Sequence, residues 1–178
     1  MLFRSDQEKL VIWLGRFTQV KRPDRVIEMA RLMPHLRFVM AGGGEMLEKT
    51  KANAPTNVSF VGFQDKSEMW SIADIGLCTS DSEGMPLSLI EAQMAGVPVV
   101  STDVGSVSEI IDDGVTGRLG DKDSEDLVKK LQAVLESMEQ SDEMSKASRN
   151  RAEREFTREV MTKAHINLYR KVLGKVAQ

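Results

Sequence analysis

What the chain lacks narrows its class before any motif is read. Cys78 is the only cysteine among 178 residues, so no disulfide can form within the chain. Its place in an apolar run suits an inert, buried thiol in a reducing compartment. Aromatic residues make up only 5%, and no repeat or low-complexity segment is visible. Positive charge is not in excess either: 24 Lys and Arg against 27 Asp and Glu give a formal charge of −3. The two signs are mixed along the chain, so no cationic field exists to hold nucleic acid or an anionic membrane. No apolar run approaches the roughly 20 residues that span a bilayer, and the first residues show no signal-peptide core. A cytoplasmic location is the expectation. The 41% of apolar residues suffice for one well-buried domain with a small helical appendage.

The apolar residues fall into short runs separated by turn residues. Residues 9–14, 36–41, 58–61, 75–79, 97–101 and 117–119 read as strands. Helical stretches follow them, beginning at Pro23, at Glu45, near Ser67, at Pro86 and at Val107. Strands alternating with helices over short loops predict an α/β fold with a doubly wound parallel sheet, Rossmann-like, whose ligands bind beyond the carboxyl ends of the strands. From Asp123 onward the pattern is helical only, over residues 123–138, 142–155 and 158–176, with Asp123 as an N-cap. In the last helix Val160, Ala164, Leu168, Val172 and Val176 recur every fourth residue beside Met161 and Leu173. They make a broad apolar face that needs a cover.

The chemistry centres on Glu83-Gly84-Met85-Pro86-Leu87-Ser88-Leu89-Ile90-Glu91, two carboxylates separated by seven residues. Pro86 is expected as the first helical residue, and Gly84 as the residue that frees the preceding backbone for unusual dihedrals. Met85 then sits at the cap, where it cannot accept hydrogen bonds. The amides of Leu87 and Ser88 stay available to another acceptor, and an anion suits them. Leu87, Ile90, Met94 and Ala95 are expected to form the helix's apolar stripe, with Glu91 inside it, where a carboxylate needs partners. An intramolecular ion pair and a ligand hydroxyl are both open to Glu91. Glu83 lies near the helix's positive end, which stabilises a carboxylate by roughly 0.3 to 1 kcal/mol whatever else it does. Arg16 and Lys21 lie between the first strand and the first helix. A planar fork and a compact charge there suit a diphosphate, although two such cations are also common on solvated surface.

Residues 80–98 resemble, almost without gaps, the Glu-x7-Glu region of the family 4 (group 1) glycosyltransferases. Gly15-Arg16-Phe17 with Lys21, Thr102-Asp103-Val104-Gly105 and Asp113-Gly114-Val115-Thr116-Gly117 match further blocks of that family in order. The resemblance implies one half of a GT-B fold, the C-terminal domain that binds a nucleotide-sugar donor, here residues 1–178. It assigns Arg16, Lys21 and the amides around Gly84, Met85, Pro86 and Leu87 to the donor diphosphate, and Glu91 to the ribose. Gly62 and Phe63 fall near the base, and Glu83 would be the catalytic carboxylate on the transferred sugar. Met85 stands where phenylalanine is frequent in the family, and Arg22 where glycine is.

By that resemblance the donor is a nucleoside diphosphate sugar, UDP-sugar first among them, with no metal or other cofactor. Asp121-Lys122-Asp123 imitates a metal motif, but it precedes a helix and capping accounts for it. His35 and His165 have no Cys or His companion at ligand spacing. Gly42-Gly43-Gly44 lacks dinucleotide-fingerprint spacing and reads as a plain turn. The resemblance further implies a second unit upstream of about Leu10 that holds the acceptor, with the terminal helix crossing back toward it. Without that unit the chain is expected to bind nucleotide and transfer sugar poorly or not at all. A non-catalytic nucleotide-binding or interaction module, and half of a nucleotide-sugar epimerase, are the alternatives.

Overall fold

The computed structural model describes residues 8–176. The first seven residues, read above for a signal core, and the side chain of Val176 lie outside the described residues. In chain order the elements are β1 (Leu10–Leu14), α1 (Pro23–Leu32), β2 (Arg37–Ala41), α2 (Leu47–Ala52), β3 (Val58–Gly62), α3 (Lys66–Ile72) and β4 (Ile75–Cys78). They continue with α4 (Leu87–Met94), β5 (Val99–Thr102), α5 (Val107–Ile110), β6 (Gly117–Gly120), α6 (Ser124–Gln140), α7 (Glu143–Glu155) and α8 (Arg158–Val176). A short 3-10 turn, Gln19–Lys21, precedes α1.

All six strands form one sheet in the order β3-β2-β1-β4-β5-β6, and every pairing is parallel. The inner strands β1 and β4 read as unbroken apolar runs because both faces are covered, while the edge strands β3 and β6 carry Ser59 and Arg118 and are only partly buried. Side chains alternate across the sheet: Val11 and Trp13 pack with Phe38, Met40 and the apolar residues of α1 and α6. Leu10 and Ile12 pack with Met69 and Trp70 of α3, Leu89 of α4 and Ile110 of α5 on the other face. The order reverses between β1 and β4, so loops leaving these neighbours diverge and open a crevice at the switch point.

Local chemistry sets the helix starts. Asp65 accepts from the amides of Ser67 and Glu68 to cap α3, and Asp123 accepts from Asp126 to cap α6. Pro23 opens α1 after Arg22, whose φ of 49° is left-handed. Helix α4 departs from expectation by one residue. Pro86 is its extended N-cap, with ψ 106°, and Leu87 is the first helical residue, so Met85 lies outside the cap. The expected absence of a side-chain cap holds. Its buried face is also different: Leu89, Ile90, Ala92 and Gln93 face inward, while Leu87 and Ala95 are exposed. The reason is tertiary, because α7 packs against α4 and Gln93 donates to the Thr116 hydroxyl.

Every described side chain of α8 is exposed, including Met161, Leu168, Val172 and Leu173, and its main contact is with α7. Among the described residues no helix is long and apolar enough to cross a membrane.

Candidate functional site

A cleft of about 440 Å³ lies beyond the carboxyl ends of β1, β2 and β4. The loop after β1 brings Arg16 and Lys21 to it, and the loop before α4 brings Glu83, Met85, Pro86, Leu87 and Ser88. Gly42, Phe63, Gln64 and Lys66 complete the opposite wall. The sequence-predicted cations and the open end of α4 therefore share one concavity. Arg16 is exposed, and its side chain makes no hydrogen bond or ion pair with the described residues. Its guanidinium is thus free to take an anion.

Glu83 is the most constrained of these groups. Its side chain is 9% exposed, and Oε1 takes Lys21 Nζ at 2.6 Å and the Ser80 hydroxyl at 2.6 Å. The Cys78 thiol lies 3.6 Å from the same oxygen, and burial pushes that thiol's pKa up. The backbone behind Glu83 is set by Gly105, with φ 57°: a Cβ there would stand 1.7 Å from the Glu83 carbonyl oxygen. The loop after β5 therefore presses directly on the carboxylate's main chain. Gly84, by contrast, is not in the left-handed region, and a Cβ there would meet nothing within 4 Å. The unusual dihedrals expected of Gly84 are absent, and Gly105 is the glycine on which the loop depends.

The Lys21 loop is latched to the end of β4. Thr79 is buried and its hydroxyl reaches the carbonyls of Lys21 and Arg22, each at 3.0 Å, while accepting from Trp13 Nε1. Arg25, 4% exposed, donates to the Thr79 carbonyl and pairs with Asp81, which Arg22 also meets. Arg22 holds Asp24 as well. Burial would raise the pKa of both aspartates, but hydrogen bonds and charge from these arginines outweigh it and hold them below the usual carboxylate range.

Glu91 lies elsewhere than expected. It lines a neighbouring groove between α3 and α4 with Trp70, Ile90, Met94 and Phe156, and that groove joins the cleft at Gln64 and Lys66. Its Oε1 pairs with Lys66 at 2.9 Å, so an intramolecular ion pair is present. Oε2 is buried and has no hydrogen-bond partner among the described residues, an acceptor left unsatisfied in this structure. Gly62 stands just behind Phe63, its carbonyl accepting from Gly42 at 2.7 Å. The three glycines at 42–44 are more than a plain turn: at Gly42, with φ 129°, a Cβ would fall 1.9 Å from the Gly15 carbonyl oxygen. They let the second loop support the Arg16 loop at backbone distance.

Sequence reasoning missed Thr79, Ser80, Lys66 and Gly105. The available signal was two consecutive hydroxyl residues closing a strand, which only the parallel topology turns into clamps on two loops. Asp123 caps α6 as expected, and among the described residues no group of three or more His, Cys, Asp or Glu is placed to hold a metal ion.

A parallel sheet with a cationic crevice at its switch point defines a Rossmann-like domain, and this one matches GT-B glycosyltransferase structures in fold. Residues 2–151 match the family described as Glycosyl transferases group 1, and the chain belongs to that family. The O-antigen biosynthesis glycosyltransferase WbnH of Escherichia coli is 31% identical over 131 residues, 72% of this chain and 38% of that protein. Sucrose-phosphate synthase from Thermosynechococcus elongatus superposes with a TM-score of 0.85 at 24% identity, covering 95% of this chain and 46% of that one. A variant of S. aureus TarM, solved with fondaparinux, alpha-GlcNAc-glycerol and UDP, superposes with a TM-score of 0.80 at 25% identity, covering 91% and 35%. The chain thus spans less than half the length of each of these proteins.

Proposed function

We propose that this chain is the donor-binding half of a retaining, metal-independent glycosyltransferase that uses a nucleoside diphosphate sugar, with UDP as its nucleotide. The observation that carries the reading is the convergence of Arg16, Lys21, Glu83 and the uncapped start of α4 on one cleft. The UDP complex of the related TarM fold supports it. In this reading Arg16, Lys21 and the backbone amides of Gly84, Met85 and Leu87 hold the diphosphate, Pro86 having no N–H to give. Glu91 accepts from the ribose, Gly62 and Phe63 flank the base, and Glu83 faces the sugar. Breaking the glycosidic bond leaves negative charge on the diphosphate and positive charge at the anomeric carbon. Fixed cations on one side and a fixed carboxylate on the other stabilise both. The acceptor approaches on the leaving-group side, and the departing phosphate takes its proton. An upstream unit supplies the acceptor site, so the isolated chain binds nucleotide and does not turn over.

Calorimetric titration with uridine, guanosine and adenosine diphosphates tests this. Arg16→Ala and Glu91→Ala should each weaken binding of the preferred nucleotide about tenfold or more, the loss of one charge-assisted bond. Heats unaffected by either change would refute it.

A further inference from the structure

Three donors converge on one oxygen of Glu83 and none on the other. Ser80, Lys21 and the Cys78 thiol all meet Oε1. Oε2 receives no hydrogen bond from the described residues, while the carboxylate forms part of the cleft wall. A carboxylate tied by one oxygen has its second oxygen aimed. The two close donors are unequal, however. Lys21 is a compact charge on a flexible stem, and a diphosphate in the cleft competes for it. Ser80 lies two residues past the end of β4, is fully buried, and has its own carbonyl fastened by the Thr102 hydroxyl at 2.7 Å. Its hydroxyl meets only Glu83 and the Cys78 sulfur.

We propose that Ser80 is a positioning residue for Glu83: it holds Oε1 in place when the diphosphate draws Lys21 away, so that Oε2 stays directed at the donor's sugar. This inference rests on the donor-site reading above, and it assigns the fixed half of the carboxylate's support to a neutral hydroxyl. The cation is then free to serve the leaving group.

The test titrates UDP and UDP-glucose into the 178-residue chain as wild type, Ser80→Ala, Glu83→Ala and the double variant, with denaturant unfolding of all four alongside. Ser80→Ala should leave UDP affinity within about twofold and lower the ratio of UDP-glucose to UDP affinity about fivefold, part of one charge-assisted bond. In the Glu83→Ala background it should change that ratio no further, because Ser80 then has nothing to hold. Equal losses for both ligands, an unchanged ratio, or the same loss with Glu83 absent would overturn the assignment. If wild type binds neither ligand, the donor reading fails by itself. The unfolding free energies then decide the Ser80–Glu83 link, non-additive losses upholding it and additive losses refuting it.

Discussion

Gly105→Ala is the substitution in which backbone geometry, stability and ligand binding are most tightly linked. The added Cβ would stand 1.7 Å from the carbonyl oxygen of Glu83 and 2.9 Å from its carbonyl carbon. Carbon and oxygen approach to about 3.3 Å without strain, so the Glu83 main chain must retreat by about 1.5 Å. Alanine at φ 57° adds about 1–2 kcal/mol of conformational cost, which for a domain of this size lowers the melting temperature by about 2–8 °C. A displaced Glu83 leaves the Lys21 ammonium and the Ser80 hydroxyl, and loss of one such bond is worth about tenfold in affinity. Differential scanning fluorimetry with calorimetric titration of UDP-glucose reads both effects. Gly84→Ala is the stability control, since a Cβ there meets nothing within 4 Å: melting should match wild type. A Gly105→Ala protein that binds UDP-glucose as wild type does, or a Gly84→Ala protein equally destabilised, would refute this account of the loop.

Two further outcomes are expected. At position 22, glycine should be more stable than alanine by about 1 kcal/mol in urea unfolding, because the left-handed backbone there penalises any Cβ once the arginine's ion pairs are gone; alanine equal to or better than glycine would contradict the geometry. Acid should weaken the fold through Asp24 and Asp81, whose folded pKa values are depressed. The unfolded chain then takes up protons first, so their stabilisation is complete above the ordinary aspartate value of about 3.9 and fades as pH falls through the lower folded values. Urea midpoints measured from pH 6 down to pH 2.5 should fall less steeply in Asp81→Asn, and an unchanged slope would remove Asp81 from the argument.

The inner strands were legible because each is a compact apolar run bounded by Gly, Pro or Asp, and a sheet covered on both faces requires that pattern. Legibility ended where a residue serves two local states equally. Pro86 has the φ of a first helical residue and of an extended cap alike, and only its ψ of 106° separates them. The buried side of α4 was misread because its cover, α7, arrives from some fifty residues further along the chain. A buried Gln93 whose side-chain amide donates to Thr116 breaks any rule based on apolar periodicity. Arg16, Lys21 and Glu83 could be named in advance because they stand in blocks that match the family pattern, whereas their position alone left solvated surface an open reading. Glu91's two-sided environment could not, because Lys66 lies on another helix. Arg22 was visible as a departure from glycine, and its φ of 49° gives the physical reason glycine suits that place.

The central pairing of β1 with β4 joins stretches of chain that are far apart in synthesis. Residues 10–62 supply one half of the sheet and residues 75–120 the other, and the two halves meet along a single inner seam. Arg16 and Lys21 ride on the early half, Glu83 and the mouth of α4 on the late one. The cleft is therefore absent until docking is finished, and an anion seated in it acts as a staple across the join. Ligand affinity and the cohesion of the two half-sheets are one quantity viewed from opposite sides.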